Sequence, residues 1–200
     1  MASFIALSIV IAVNVKRQAK RSKTTDEEFW SREFRANSVR RKSLDGLKYI
    51  TIPLESFPTH LLNENPVVLE CIDVLESLTS RKIVNLTGWT NTDLKLEYGA
   101  ANINLLTEYD QNYTLMVRTL QKWAELLTEA GYRKEILPLL EFAIATGADL
   151  SRTYYLLAEY YASAGQYQEI DRLRQNAKNL RSVNRDIIVR HLQETYPDVF

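Results

Sequence analysis

The sequence predicts an all-α fold. Three observations carry that expectation: apolar residues recur with helical period over most of residues 65–181, Gly131 and Gly165 end two such stretches 34 residues apart, and only one short run alternates as an extended segment does. The 200 residues are 46% hydrophobic and 25% charged, an ordinary globular composition that argues against wholesale disorder.

The first element is an uncharged run, Ala2 to Val15, dominated by Phe4, Ile5, Leu7, Ile9, Val10, Ile11, Val13 and Val15 and ended by Lys16 and Arg17. As a helix it would extend about 21 Å, short of a hydrocarbon core of about 30 Å, so spanning requires local thinning or snorkelling of the flanking bases. A cleavable signal places its bases before the apolar run, whereas here Lys16, Arg17, Lys20, Arg21 and Lys23 follow it. The positive-inside rule then keeps the C-terminal side in the cytoplasm. The sequence therefore predicts an N-terminal membrane-anchor helix over 1–15 and a single-pass protein of the cell membrane, with its C-terminal domain cytoplasmic. A buried core helix and a signal peptide are the alternatives.

Residues 16–48 form a basic juxtamembrane helix and linker, with eleven bases against five acids, whereas the rest of the chain carries 14 bases against 20 acids. Between Thr25 and about Leu44 there is no Gly or Pro, and Phe29, Trp30, Phe34 and Val39 are the main apolar residues. Asp26, Glu27 and Glu28 fall in the first turn and Arg40, Arg41 and Lys42 in the last, the arrangement a helix dipole favours. Such a neck either rests on anionic headgroups, through Lys16, Arg17, Lys20, Arg21, Arg40, Arg41 and Lys42, or is a solvated spacer.

Residues 49–64 read as an extended arm. Tyr49 to Leu54 alternates, with Ile50, Ile52 and Leu54 on one side, but no second strand is available to pair with it. A helical domain follows over 65–200. Asn65 before Pro66 is a helix start, and Val67, Cys71, Val74, Leu75 and Leu78 make one apolar stripe. The polar interval from Asn85 to Asp93 reads as a turn and cap before a second helix from about Asp93 to Glu108, with a recognition loop around Trp89 as the sharper alternative.

Beyond Gln111 four stripes succeed one another: Met116, Leu120, Trp123, Leu127 and Ala130; Ile136, Leu139, Leu140 and Ala143; Leu150, Tyr154, Leu157, Ala158 and Tyr161; Tyr167, Ile170, Leu173, Ala177 and Leu180. With Gly131 and Gly165 as anchors, residues 117–181 resemble the tetratricopeptide repeat. Tyr154, Leu157, Ala158, Tyr161, Gly165, Tyr167 and Ala177 fit the second unit, while Arg133 and Pro138 depart from the pattern in the first. The helix from Asn184 to Tyr196 would cap the stack. The chain as a whole is similar to a group of membrane-anchored bacterial helical proteins, a similarity that implies no activity. The expected class is thus a tetratricopeptide-like α-solenoid behind an anchor helix.

What the resemblance implies is a groove for a protein or peptide segment, lined by Arg118, Gln121, Glu125, Thr128 and Glu129 in one unit and Arg152, Tyr155, Glu159, Ala162 and Ser163 in the next. Arg118 and Arg152 correspond and would clamp a carboxylate. Cys71 is the only cysteine and His60 and His191 the only histidines, so no metal ligand set has a recognised spacing, and no cofactor motif is present. The acidic body disfavours nucleic acid. No nucleophile with its base is visible, so an enzyme is not expected. The expectation is a membrane-tethered, cytoplasm-facing adaptor, with two alternatives: a peripheral membrane-surface protein whose neck recognises anionic lipid, and an enzyme of unrecognised type.

Overall fold

The computed structural model describes residues 25–199. They divide into two compact units: the described residues up to Asp45 with Trp89–Asn104, and Gly46–Gly88 with the described residues from Leu105 onward. The described regular elements are all helical.

In the first unit, helix α1 spans residues 25–38 and α3 spans Asn91–Tyr98. Thr90 caps α3 through a capping box, its hydroxyl accepting from the Asp93 amide while the Asp93 carboxylate accepts from the Thr90 amide. The expected helix over 93–108 is broken at Gly99, whose φ of +90° only glycine adopts without strain. A 3-10 turn, Ala100–Asn102, then leads to α4, Ile103–Glu129, which runs 27 residues without the break expected near Gln111.

In the second unit, residues 49–54 are an arm without strand pairing. The Ile50 amide donates to the Ile83 carbonyl at 2.9 Å, the Tyr49 ring meets that of Tyr109 of α4 edge to face at 6.0 Å, and Ile52 is buried with Ile50 and Leu54 packed beside it. Helix α2, Pro66–Thr79, is capped by Asn65, whose side chain accepts from the Val67 and Val68 amides. Its buried residues are Val68, Cys71, Leu75 and Leu78.

Four further helices follow: α5, Leu137–Ala145; α6, Ser151–Ser163; α7, Tyr167–Lys178; and α8, Asn184–Thr195. Neighbours pack in sequence, α5 on α6, α6 on α7 and α7 on α8, which is a stack of helical hairpins of the tetratricopeptide kind. Pro138 does not kink α5; it stands in the first turn, where a missing N–H costs nothing. The expected stripes are core, with Leu120, Trp123, Leu127, Leu139, Leu140, Tyr154, Leu157, Ala158, Ile170, Leu173 and Ala177 all buried. Tyr167, which stands 53% exposed, and Ala130 are exceptions, and Leu150 is half-buried.

Among the described residues no helix is long and apolar enough to cross a membrane. The longest, α4, is interrupted by Glu108, Asp110, Arg118, Lys122, Glu125 and Glu129. This corrects the expectation of a solenoid behind an N-terminal anchor helix, and with it the single-pass topology. The run 2–15 on which that expectation rests lies outside the described residues.

Candidate interaction surfaces

The neck is held in the first unit by polar contacts along one face of α1. Glu33 accepts from the Thr92 hydroxyl and from Lys95 Nζ at 3.2 Å, Arg32 Nη2 meets Asp93 Oδ1 at 2.5 Å, and Ala36 is buried. The Thr92 hydroxyl and the Lys95 ammonium hold the Glu33 carboxyl below its ordinary range, and the Thr90 hydroxyl and amide, with Arg32, do the same for Asp93.

Beyond α1 the backbone of residues 39–42 is fixed by buried Asn102. Its Nδ2 donates to the Lys42 and Tyr98 carbonyls, both at 2.8 Å, and its Oδ1 accepts from Arg41 Nε at 2.9 Å. Gly99 permits this approach, because a Cβ there would lie 2.3 Å from the Arg40 carbonyl oxygen.

Several large side chains of the neck nevertheless stay exposed. Phe29, Trp30 and Phe34 are 54%, 68% and 79% exposed, with Phe29 and Trp30 edge to face at 5.4 Å. Arg35, Arg40 and Lys42 are exposed and form no ion pair with any described residue. Asp26, Glu27 and Glu28 are exposed at the other end of α1, so the positive charge lies towards residues 35–42. Of the neck bases expected to meet lipid, Arg40, Arg41 and Lys42 are exposed, with Arg41 tied to Asn102; Lys16, Arg17, Lys20 and Arg21 lie outside the described residues.

The expected groove residues lie in the second unit, and several meet. Gln121 is 8% exposed, accepts from the Thr153 hydroxyl at 2.5 Å and donates to Glu125 at 3.0 Å, linking α4 to α6. Arg152 lies between Glu125 at 3.7 Å and Glu159 at 3.6 Å, both exposed pairs of the kind that contribute about 1 kcal/mol or less. Tyr155 stacks on His191 of α8 with ring centroids 3.7 Å apart, so the C-terminal helix covers that part of the face. The Thr128 hydroxyl turns back to the Ala124 carbonyl. Arg118 and Glu129 are exposed, and neither has an ion pair with a described residue.

Asn85 and Cys71 have structural contacts. Asn85 Nδ2 donates to Tyr113 Oη at 3.0 Å and to the Thr146 and Gly147 carbonyls at 2.9 and 3.2 Å, and its Oδ1 accepts from the Thr87 amide. Asn85 thereby caps the α5–α6 turn. Cys71 is buried, which pushes its thiol up and leaves it a small apolar residue of α2. No cluster of potential metal ligands occurs among the described residues.

Sequence reasoning missed Asn102 and Gly99, the two residues that shape the neck. A lone Asn and a lone Gly between helical stretches carry no pattern that tells their partner 60 residues upstream. No protein-family model, curated protein or solved structure matches the chain. The similarity to membrane-anchored bacterial proteins is therefore not retained, and the described residues supply no spanning segment to support the membrane as a partner through residues 2–15 or the single-pass localisation.

Proposed function

We propose that this is a peripheral surface-binding protein whose neck recognises anionic lipid and whose hairpin stack is the body it carries. The observation that supports this is the exposure of Phe29, Trp30 and Phe34 on α1, together with Arg35, Arg40 and Lys42 exposed in the same unit and unpaired with described residues. Aromatic rings favour the headgroup boundary, and each base near an anionic surface contributes about 1 kcal/mol. The expected groove residues are by contrast largely engaged with one another, through Thr153–Gln121–Glu125 and Glu125–Arg152–Glu159.

Co-sedimentation with vesicles tests the reading. The full chain is expected to bind vesicles containing phosphatidylserine far better than phosphatidylcholine vesicles, with binding falling as salt rises. An Arg35→Gln, Arg40→Gln, Lys42→Gln variant should bind the anionic vesicles more weakly, by about 1 kcal/mol for each base removed. Equal binding to both vesicles, unaltered in the variant, contradicts the reading. The apolar run 2–15 is present in every sample and gives no preference for charge.

A second reading is protein binding by the hairpin stack, with a peptide carboxylate taken between Arg118 and Arg152. It is favoured by the exposure of Arg118 and the weak, exposed pairs that hold Arg152. An Arg118→Ala, Arg152→Ala variant that loses a protein partner while keeping the anionic-vesicle preference would establish it as separate from the neck.

A further inference from the structure

Two serines of the first unit stand three residues after an arginine: Ser38 after Arg35 and Ser43 after Arg40. That order suits a basophilic serine kinase, whose substrate cleft sets carboxylates where they pair with bases preceding the acceptor hydroxyl. Ser43 has a further base, Arg41, two residues before it. Three residues of extended chain span about 10 Å, and three of helix about 4.5 Å, so a cleft built for one spacing does not take the other.

The structure separates the two serines on this point. Ser38 closes α1, and its hydroxyl donates to the Arg35 carbonyl at 2.8 Å. Ser43 lies in the run 39–44, outside any regular element, and is exposed together with Arg40, Arg41 and Lys42. Tyr98 and Asn102 hold the Lys42 amide and carbonyl, so neither group continues α1. The Ser43 hydroxyl bonds two residues along, donating to Asp45 Oδ2 at 2.6 Å and accepting from the Asp45 amide at 3.1 Å.

We propose that Ser43 is a phosphorylation site for a basophilic serine kinase and that its phosphate loosens the neck from anionic lipid. The effect on lipid rests on the reading of the neck given above; the modification itself does not. Ser43 Oγ attacks the γ-phosphorus of a nucleoside triphosphate. An Oγ–P bond forms as the bond from that phosphorus to the bridging oxygen breaks, the diphosphate leaves with the electron pair, and the hydroxyl proton passes to a carboxylate of the kinase. Residues 39–45 carry three bases, Arg40, Arg41 and Lys42, against one acid, Asp45. A phosphate of about −1.5 to −2 at neutral pH brings that local excess close to zero.

The test treats the full chain with ATP and the catalytic subunit of a cyclic-AMP-dependent kinase, maps the phosphate by mass spectrometry, and measures co-sedimentation with phosphatidylserine-containing vesicles. Ser43 is expected to be modified and Ser38 not, and Arg40→Gln should slow modification of Ser43 by about tenfold or more. The modified chain should bind the vesicles about ten- to thirtyfold more weakly than the untreated one. Ser43→Ala carried through the same treatment should bind as the untreated chain does. Absence of phosphate at Ser43, or Ser38 modified as readily, overturns the site. Equal weakening in treated Ser43→Ala, or binding unchanged by the phosphate in a chain that prefers phosphatidylserine when untreated, overturns its effect and leaves the lipid reading standing. An untreated chain without that preference sinks the lipid reading and the effect together, while the mass spectrum still decides the site.

Discussion

Gln121 separates two accounts of the hairpin stack: as a groove residue it reads a ligand, and as a buried link it holds α4 to α6. The structure gives it the second role, since the bond from Thr153 Oγ1 is 2.5 Å long and Thr153 is fully buried. Thr153→Val removes the donor at nearly constant shape and leaves the Gln121 carbonyl oxygen without it. A buried acceptor so stranded costs about 1–3 kcal/mol. In a chain of this length each kcal/mol lowers the melting temperature by about 2–4 °C, so the fall is about 2–12 °C. Combining Thr153→Val with Gln121→Met removes both polar partners and should recover much of the loss, because no group is then left unsatisfied. Melting curves of the four proteins by circular dichroism give the coupling directly. A Thr153→Val variant as stable as wild type, or a double variant whose loss is the sum of the singles, would refute the link and return Gln121 to the groove face.

Three other outcomes follow from particular contacts. Asn85→Ala removes the donor shared by Tyr113 and two carbonyls, and should lower the urea midpoint by the equivalent of about 2–4 kcal/mol with an unchanged slope. Gly99→Ala forces a Cβ to 2.3 Å from the Arg40 carbonyl oxygen at a φ of +90°, and should accelerate hydrogen exchange at the Lys42 amide, which donates to the Tyr98 carbonyl. The carboxyls of Glu33 and Asp93 are held below their ordinary range, so the stability they give the α1–α3 contact is complete at neutral pH. It is lost only as pH falls below about 4, through the lowered folded values. Trp89, whose ring lies 6.3 Å from that of Tyr98, should report this as an emission change below about pH 4 and none between 7 and 5.

Much of the hairpin stack was legible in the sequence because its determinants are local. The stripes of α6 and α7, the Asn65 cap and the turns at Gly131 and Gly165 depend on residues within one or two helical turns of each other. Tyr167 fell on a stripe by spacing alone, but it stands at the first position of α7, where no preceding turn of the helix packs over it. The continuity of α4 was missed because Asp110, Gln111 and Asn112 look like a polar break. In the structure the Asp110 carboxylate accepts from the Leu86 amide and Asn112 donates to the Lys82 carbonyl, so both are satisfied without interrupting the helix.

The candidate surfaces were less legible. Spacing placed Gln121 and Tyr155 on the groove face of their helices, but Thr153 and His191, which cover them, come from 32 and 36 residues away. The neck was legible as charge and aromatic content, since those are compositional. Which of its residues remain exposed was not, because Asn102, Asp93 and Thr92 select them from about 60 residues downstream.

The most direct test of the neck reading follows the emission of Trp30, the most exposed of the three tryptophans, while Trp123 is fully buried. Adding phosphatidylserine-containing vesicles to the full chain should shift the emission to the blue as the ring leaves water, and Trp30→Phe should abolish the shift while leaving the vesicles bound. A shift that survives in Trp30→Phe, or emission unchanged on vesicles that do bind the protein, would contradict recognition of the lipid surface by this helix.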